Sequence, residues 1–174
     1  MLRTLLLPAL LFLPAPALAQ VEAPIVSATA VSRAVPAPYD EAADARLELA
    51  AALERARTSG KRVLVEFGAN WCPVCRTLGG LMAEPEVKAF LDRHFEKVLV
   101  DVGRFDRNMD ILAALGVERP RSIPAVLVLE ADGTVLNASD TDRLTGVLQM
   151  TPQDAVDWLA EWARPPLDAV KGEG

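Results

Sequence analysis

Val63-Leu64-Val65-Glu66-Phe67-Gly68-Ala69-Asn70-Trp71-Cys72-Pro73-Val74-Cys75-Arg76 is the stretch from which the rest of the chain can be read. Residues 63–67 are apolar except for Glu66 and lie between Gly60 and Gly68, the pattern of a short buried strand. Alternation along the strand puts Glu66 on the opposite side from Val65 and Phe67. After Trp71-Cys72 the pattern turns helical, from about Pro73 to Met82, with Pro73 suited to the first turn. The chain's two cysteines therefore sit one turn apart at the start of a helix.

That spacing decides their chemistry. A disulfide between Cys72 and Cys75 would close a four-residue loop and remove little entropy from the unfolded chain, so the pair reads as reactive and not as a staple. A structural zinc site needs four ligands, and only two cysteines and one histidine are available. That histidine, His94, reads as a surface residue at a helix end. No metal and no cofactor is expected. A sulfur at a helix N-terminus faces unpaired N–H groups and the positive dipole end, which favour thiolate. The thiolate attacks a disulfide, and a second thiol one turn on resolves the mixed disulfide. Cys72 is the expected nucleophile and Cys75 the expected resolving thiol; Arg76 reads as a solvated cation nearby.

Working toward the N-terminus, Ala42, Ala45, Leu49, Ala52, Leu53 and Ala56 recur at helical spacing. Asp40 reads as the N-cap and Gly60 as the stop, giving a helix over about 41–58. Residues 20–39, with Pro24, Pro36 and Pro38 and no sustained period, read as a Pro/Ala-rich linker. Residues 1–19 read as a signal peptide: Arg3, an apolar run from Leu5 to Leu18, and Ala17-Leu18-Ala19 before Gln20. The run falls short of the roughly 20 residues of a membrane span and carries three prolines; an uncleaved anchor is the alternative. The expected product is periplasmic or secreted.

Toward the C-terminus, a short helix over Pro85–Arg93 precedes a strand at Val98–Val102. The charged stretch from Gly103 to Asn108 reads as a solvated loop capping a helix over Met109–Leu115. Ala125–Leu129 is a strand, and Asp132-Gly133 turns it into a second at Thr134–Leu136. Ala155, Trp158, Leu159 and Trp162 mark an amphipathic closing helix over about 152–163. Residues 40–165 thus form one domain, and residues 166–174 a flexible tail. The order predicts an α/β fold, a central mixed sheet with helices on both faces. Asn137-Ala138-Ser139 matches a glycosylation sequon. A formal charge of −6 without a basic cluster excludes nucleic acid as a natural partner and disfavours anionic membrane surfaces. A monomer is expected.

VLVEFGANWCPVCR over residues 63–76 resembles the active-site strand, loop and helix of thioredoxins. Ser122–Leu129 with Asp132-Gly133 resembles their later segment, in which a proline precedes a strand and turn. The leading helix and Glu84-Pro85-Glu86-Val87 are closer to bacterial exported thioredoxin-like proteins and to the thioredoxin-like end of transmembrane electron transporters. The likeness spans roughly residues 41–164. It implies a thioredoxin-like fold and a cis-proline at Ile123-Pro124 whose loop pairs with substrate backbone. It also implies a flat apolar shelf at Trp71 and a buried acid at Glu66 that takes the proton of Cys75. The alternative reading of Glu66 is a solvated strand carboxylate. Thioredoxins carry Gly-Pro between the cysteines where this chain carries Pro73-Val74, a position that tunes redox poise.

Together these readings give a thiol–disulfide oxidoreductase acting on exported client proteins in the reducing direction, supplied with electrons by a membrane partner. The alternatives are a redox-sensitive peptide-binding or chaperone module and a disulfide donor.

Overall fold

The strand that carries Glu66, β1 (Arg62–Gly68), is the centre of the molecule in the computed structural model, which describes residues 21–30 and 33–164. β1 pairs in parallel with β2 (Phe95–Asp101) on one side and antiparallel with β3 (Ala125–Leu129) on the other. A strand flanked on both edges and covered on both faces must be apolar almost throughout, and residues 63–68 are all buried. The sheet is mixed, as expected.

One face carries Val63, Val65 and Phe67 and is covered by α1 (Ala45–Ser59) and α4 (Met109–Ala114). The other carries Leu64, Val126 and Val128 and is covered by α2 (Pro73–Met82), α3 (Pro85–His94) and α5 (Pro152–Glu161). Alternation places Glu66 on this second face, beneath α2.

Several expectations are corrected. The first helix begins at Ala45, not near 41, and its N-cap is Asp44, whose carboxylate accepts from the N–H groups of Arg46 and Leu47 at 3.1 Å. Asp40 instead holds a turn, accepting from Ala42 N–H at 2.9 Å. At the other end Gly60 takes a φ of 73°, which a Cβ would disfavour, and stops the helix. β2 starts three residues before Val98, because Phe95, Glu96 and Lys97 pair with Arg62, Val63 and Leu64. Its polar start is tolerated because Glu96 meets Arg55 and Lys61 at the sheet edge.

Thr134–Leu136 is not a strand. It contributes one bridge, Leu129 to Val135, and then the Asn137 side chain takes over. Its amide accepts from Val128 N–H and donates to Val126 C=O, both at 2.8 Å, doing the work of the next strand residues. Asn137 is 1% exposed, so the sequon asparagine is a buried structural group.

His94 is also buried, contrary to its reading as a surface residue. β2 follows α3 with no intervening loop, which draws the ring inward onto Phe90 at 4.8 Å. Its Nδ1 lies 2.8 Å from the Arg164 carbonyl.

The described part of the segment read as a linker, residues 21–30 and 33–39, is held against the domain. Residues 33–39 lie along α2: Val35 N–H bonds the Arg76 carbonyl at 3.0 Å, and Arg76 Nε returns a bond to the Val35 carbonyl at 3.0 Å. Arg76 is therefore half-buried and pinned, not solvated. Upstream, Val26 N–H meets the Gln153 side chain at 3.0 Å, and Ala30 joins the core. The absence of periodicity was real, but apolar side chains without a period still bury themselves. The signal-peptide reading of residues 1–19 and the tail reading of 166–174 lie outside the described residues.

Candidate active site

Pro73 opens α2 at a position where its missing N–H costs nothing, which leaves Cys72 as the N-cap with extended backbone. Its Sγ therefore points at the open end of the helix and accepts from the Cys75 N–H at 3.2 Å. One turn on, Cys75 is wholly buried, whereas Cys72 is 4% exposed. Both are unbonded thiols.

The two thiols differ in acidity. Cys72 is lowered to about 6, first by its hydrogen bond with the Cys75 thiol and then by the backbone N–H groups of Cys75 and Val74, with burial opposing. The same hydrogen bond and burial push Cys75 up. The thiol at the helix end is thus the one ready to be thiolate near neutral pH, and the inner thiol keeps its proton.

The Ile123–Pro124 peptide is cis, and the Ile123 carbonyl lies 3.6 Å from Cys72 Sγ. Trp71 stands beside Cys72, 47% exposed. Its indole N–H donates to the Gly103 carbonyl at 2.7 Å, and the Arg104 guanidinium lies 5.6 Å above the ring. The charged loop from Gly103 therefore braces Trp71. Asn108 precedes α4 but makes no side-chain cap, bonding the Asp101 carbonyl instead at 2.9 Å.

Beneath Cys75 lies Glu66, 1% exposed, not the solvated carboxylate that the residues alone allowed. Burial pushes its carboxyl up to about 7, against the hydrogen bond from Tyr39 and the charge of Lys97, which pull it down. The geometry thus brings Cys72, Trp71 and the Ile123–Pro124 loop together, with Cys75 buried behind Cys72 and Glu66 behind both.

One residue of this cluster is absent from the sequence reading. Tyr39, the chain's sole tyrosine, donates its hydroxyl hydrogen bond to Glu66 Oε1 and is 3% exposed. Its backbone is fixed by a reciprocal pair with the Asn70 side chain, both bonds at 3.0 Å. A lone aromatic between Pro38 and Asp40 in an aperiodic segment was the available signal. Among the described residues no group of three or more His, Cys, Asp or Glu is placed to hold a metal ion.

Residues 44–131 match the model of the thioredoxin-like family. A thioredoxin of Chlorobaculum thiosulfatiphilum is 31% identical over 90 residues, covering 52% of this chain and 70% of that protein. The crystal structure of a disulphide isomerase from Xylella fastidiosa Temecula1 superposes with a TM-score of 0.66 at 39% identity, over 71% of this chain and 95% of that one. The chain belongs to the thioredoxin-like family. It is a thiol–disulfide oxidoreductase.

Proposed function

We propose that this protein reduces disulfides in exported client proteins, with Cys72 as nucleophile and Cys75 as resolving thiol. The observation that carries the assignment is Cys72 Sγ at the head of α2, accepting from Cys75 N–H and lowered to about 6 while Cys75 is raised. The Cys72 thiolate attacks one sulfur of a client disulfide, forming a mixed disulfide and releasing one client thiolate. Cys75, once deprotonated, attacks Cys72 Sγ. The Cys72–Cys75 disulfide forms, the second client thiolate leaves, and the client has gained two electrons from the pair. Glu66 is the group that receives the Cys75 proton. Trp71, Ile123 and Pro124 form the face on which the client strand lies.

Two arguments support the reducing direction. A nucleophile near 6 is closer to that of thioredoxin, about 7, than to that of a strong oxidase, about 3.5. A strong oxidase needs further donors to its thiolate, and Val74 supplies no side-chain donor. Export follows from the reading of residues 1–19. A reductase working in an oxidising compartment needs a membrane partner passing electrons to it. An insulin-reduction assay tests the activity: the wild type should turn over and the Cys72→Ser/Cys75→Ser variant should not. Equilibration with glutathione tests direction. A potential on the oxidising side of protein disulfide isomerase, about −180 mV, would make the protein a disulfide donor.

Isomerase activity is the second reading, favoured by the similarity to the disulphide isomerase of Xylella fastidiosa at 39% identity. Recovery of activity by a scrambled-disulfide substrate without net thiol consumption would distinguish it.

A further inference from the structure

Residues 33–39 form a strap that crosses α2 and β1 and delivers one polar atom to the interior. Gly68, Gly79 and Gly80 make room for it. A Cβ on Gly80 would collide with the Arg33 carbonyl. A Cβ on Gly68 would overlap the Tyr39 hydroxyl and lie 3.0 Å from Cys75 Sγ. The hydroxyl and the inner thiol therefore flank the same small space. On its other side the same hydroxyl donates to Glu66 Oε1. A phenol oxygen can accept one hydrogen bond while donating another, so the order of groups is Cys75 thiol, Tyr39 hydroxyl, Glu66 carboxylate.

We infer that Tyr39 is a catalytic relay in the resolving step, carrying the Cys75 proton to Glu66. The inference rests on the assignment of Cys75 as resolving thiol. As Cys75 S–H breaks, its proton passes to Tyr39 Oη. The hydroxyl's own proton passes to Glu66 Oε1. Cys75 ends as thiolate, Tyr39 remains neutral and Glu66 becomes neutral. No oxidant or other reactant is needed, and the thiolate then closes on Cys72 Sγ as written above. Burial and the adjacent carboxylate raise the Tyr39 hydroxyl far above its ordinary value, so the residue passes a proton without being left as phenolate. A cavity of about 290 Å³ lined by Val35, Pro38, Glu66, Lys88 and Lys97 adjoins the carboxyl, a route by which Glu66 can return its proton to water.

The test separates attack from resolution. The full-length reduced protein is mixed with one equivalent of a nitrobenzoate disulfide, whose thiolate product absorbs visible light. The first release reports attack by Cys72 and the second resolution by Cys75. In Tyr39→Phe, which removes one oxygen, the first phase should match wild type and the second should slow by roughly a hundredfold. Glu66→Gln should slow the second phase similarly, and the double variant should be no slower than the worse single one. The wild-type second phase should rise as pH passes through the titration of Glu66 and flatten in Tyr39→Phe. The charged and titratable groups facing that carboxyl are Tyr39 from the strap, Cys72 and Cys75 from α2, and Lys97 from β2, with Lys88 of α3 across the cavity. A Tyr39→Phe second phase within about threefold of wild type, with the wild-type pH profile, would overturn the relay. So would a Glu66→Gln variant that resolves at the wild-type rate. A wild type that releases one equivalent and never the second would instead overturn the assignment of Cys75. Thermal melting of each variant verifies that the fold is retained.

Discussion

Cys72 and Cys75 occupy successive turns of one helix yet differ sharply in acidity, because one caps the helix and the other lies inside it. Iodoacetamide labelling of the reduced protein should therefore titrate Cys72 with a midpoint near 6, and Cys75 should stay unlabelled through neutral pH. Faster labelling of Cys75 at pH 7 would reverse the roles. In the same vein, Cys75→Ser should accumulate mixed disulfides with client proteins, visible on non-reducing gels, and Cys72→Ser should not. Glu66 makes a second prediction at this scale. Burial raises its carboxyl from 4.5 to about 7, so the folded state favours the protonated form. Its contribution to stability is full below about pH 4.5 and is lost as pH rises through about 7. Glu66→Gln escapes that loss. In urea unfolding it should match wild type near pH 4 and exceed it at pH 8 by on the order of 3 kcal/mol. Equal stability of the two proteins at pH 8 would contradict this.

At the scale of elements, the mixed sheet closes on a side chain and not on a fourth strand. Asn137 supplies the bonds that a further strand would have given to Val126 and Val128, which are wholly buried. Asn137→Ala leaves one donor and one acceptor unsatisfied, each costing about 1–3 kcal/mol. The expected drop in unfolding free energy is about 2–6 kcal/mol, with little effect on Cys72 labelling. A drop below 1 kcal/mol would mean that water replaces the amide there. The same contact means that a glycan on Asn137 is incompatible with the folded domain.

For the whole molecule, the domain extends upstream of its first helix. Tyr39, Val26 and Ala30 are held by bonds or burial against the domain. A chain beginning at Asp40 loses a buried aromatic and leaves Glu66 and Cys75 without their hydroxyl neighbour. It should unfold at lower urea, with a loss of about 3 kcal/mol or more, and its resolving step should slow as in Tyr39→Phe. Unchanged stability would show that the strap adds nothing to the fold. The measured redox potential also belongs to this scale, since it reports the balance of thiolate stabilisation across the whole site. We expect it nearer to thioredoxin, about −270 mV, than to the strong oxidase value of about −120 mV.

Local pattern was enough for the elements that bury a regular face. The bounds of α2 and β3 follow directly from the run after Cys72 and from Ala125–Leu129. The placement of the two cysteines at the head of a helix was equally legible, because that pattern is local and needs no distant partner. What sequence could not supply depends on contacts between residues far apart in the chain. Asp44 rather than Asp40 caps α1, since Asp40 is spent on the turn after Tyr39. His94 is inside, since α3 runs without a loop into β2. Tyr39 reaches Glu66 across 27 positions, through a space that Gly68 leaves open. An aperiodic, proline-rich segment carries no signal of where it will dock. Only the packed groove made by α2 and β1 decides that the strap lies there and that its one hydroxyl meets the buried acid.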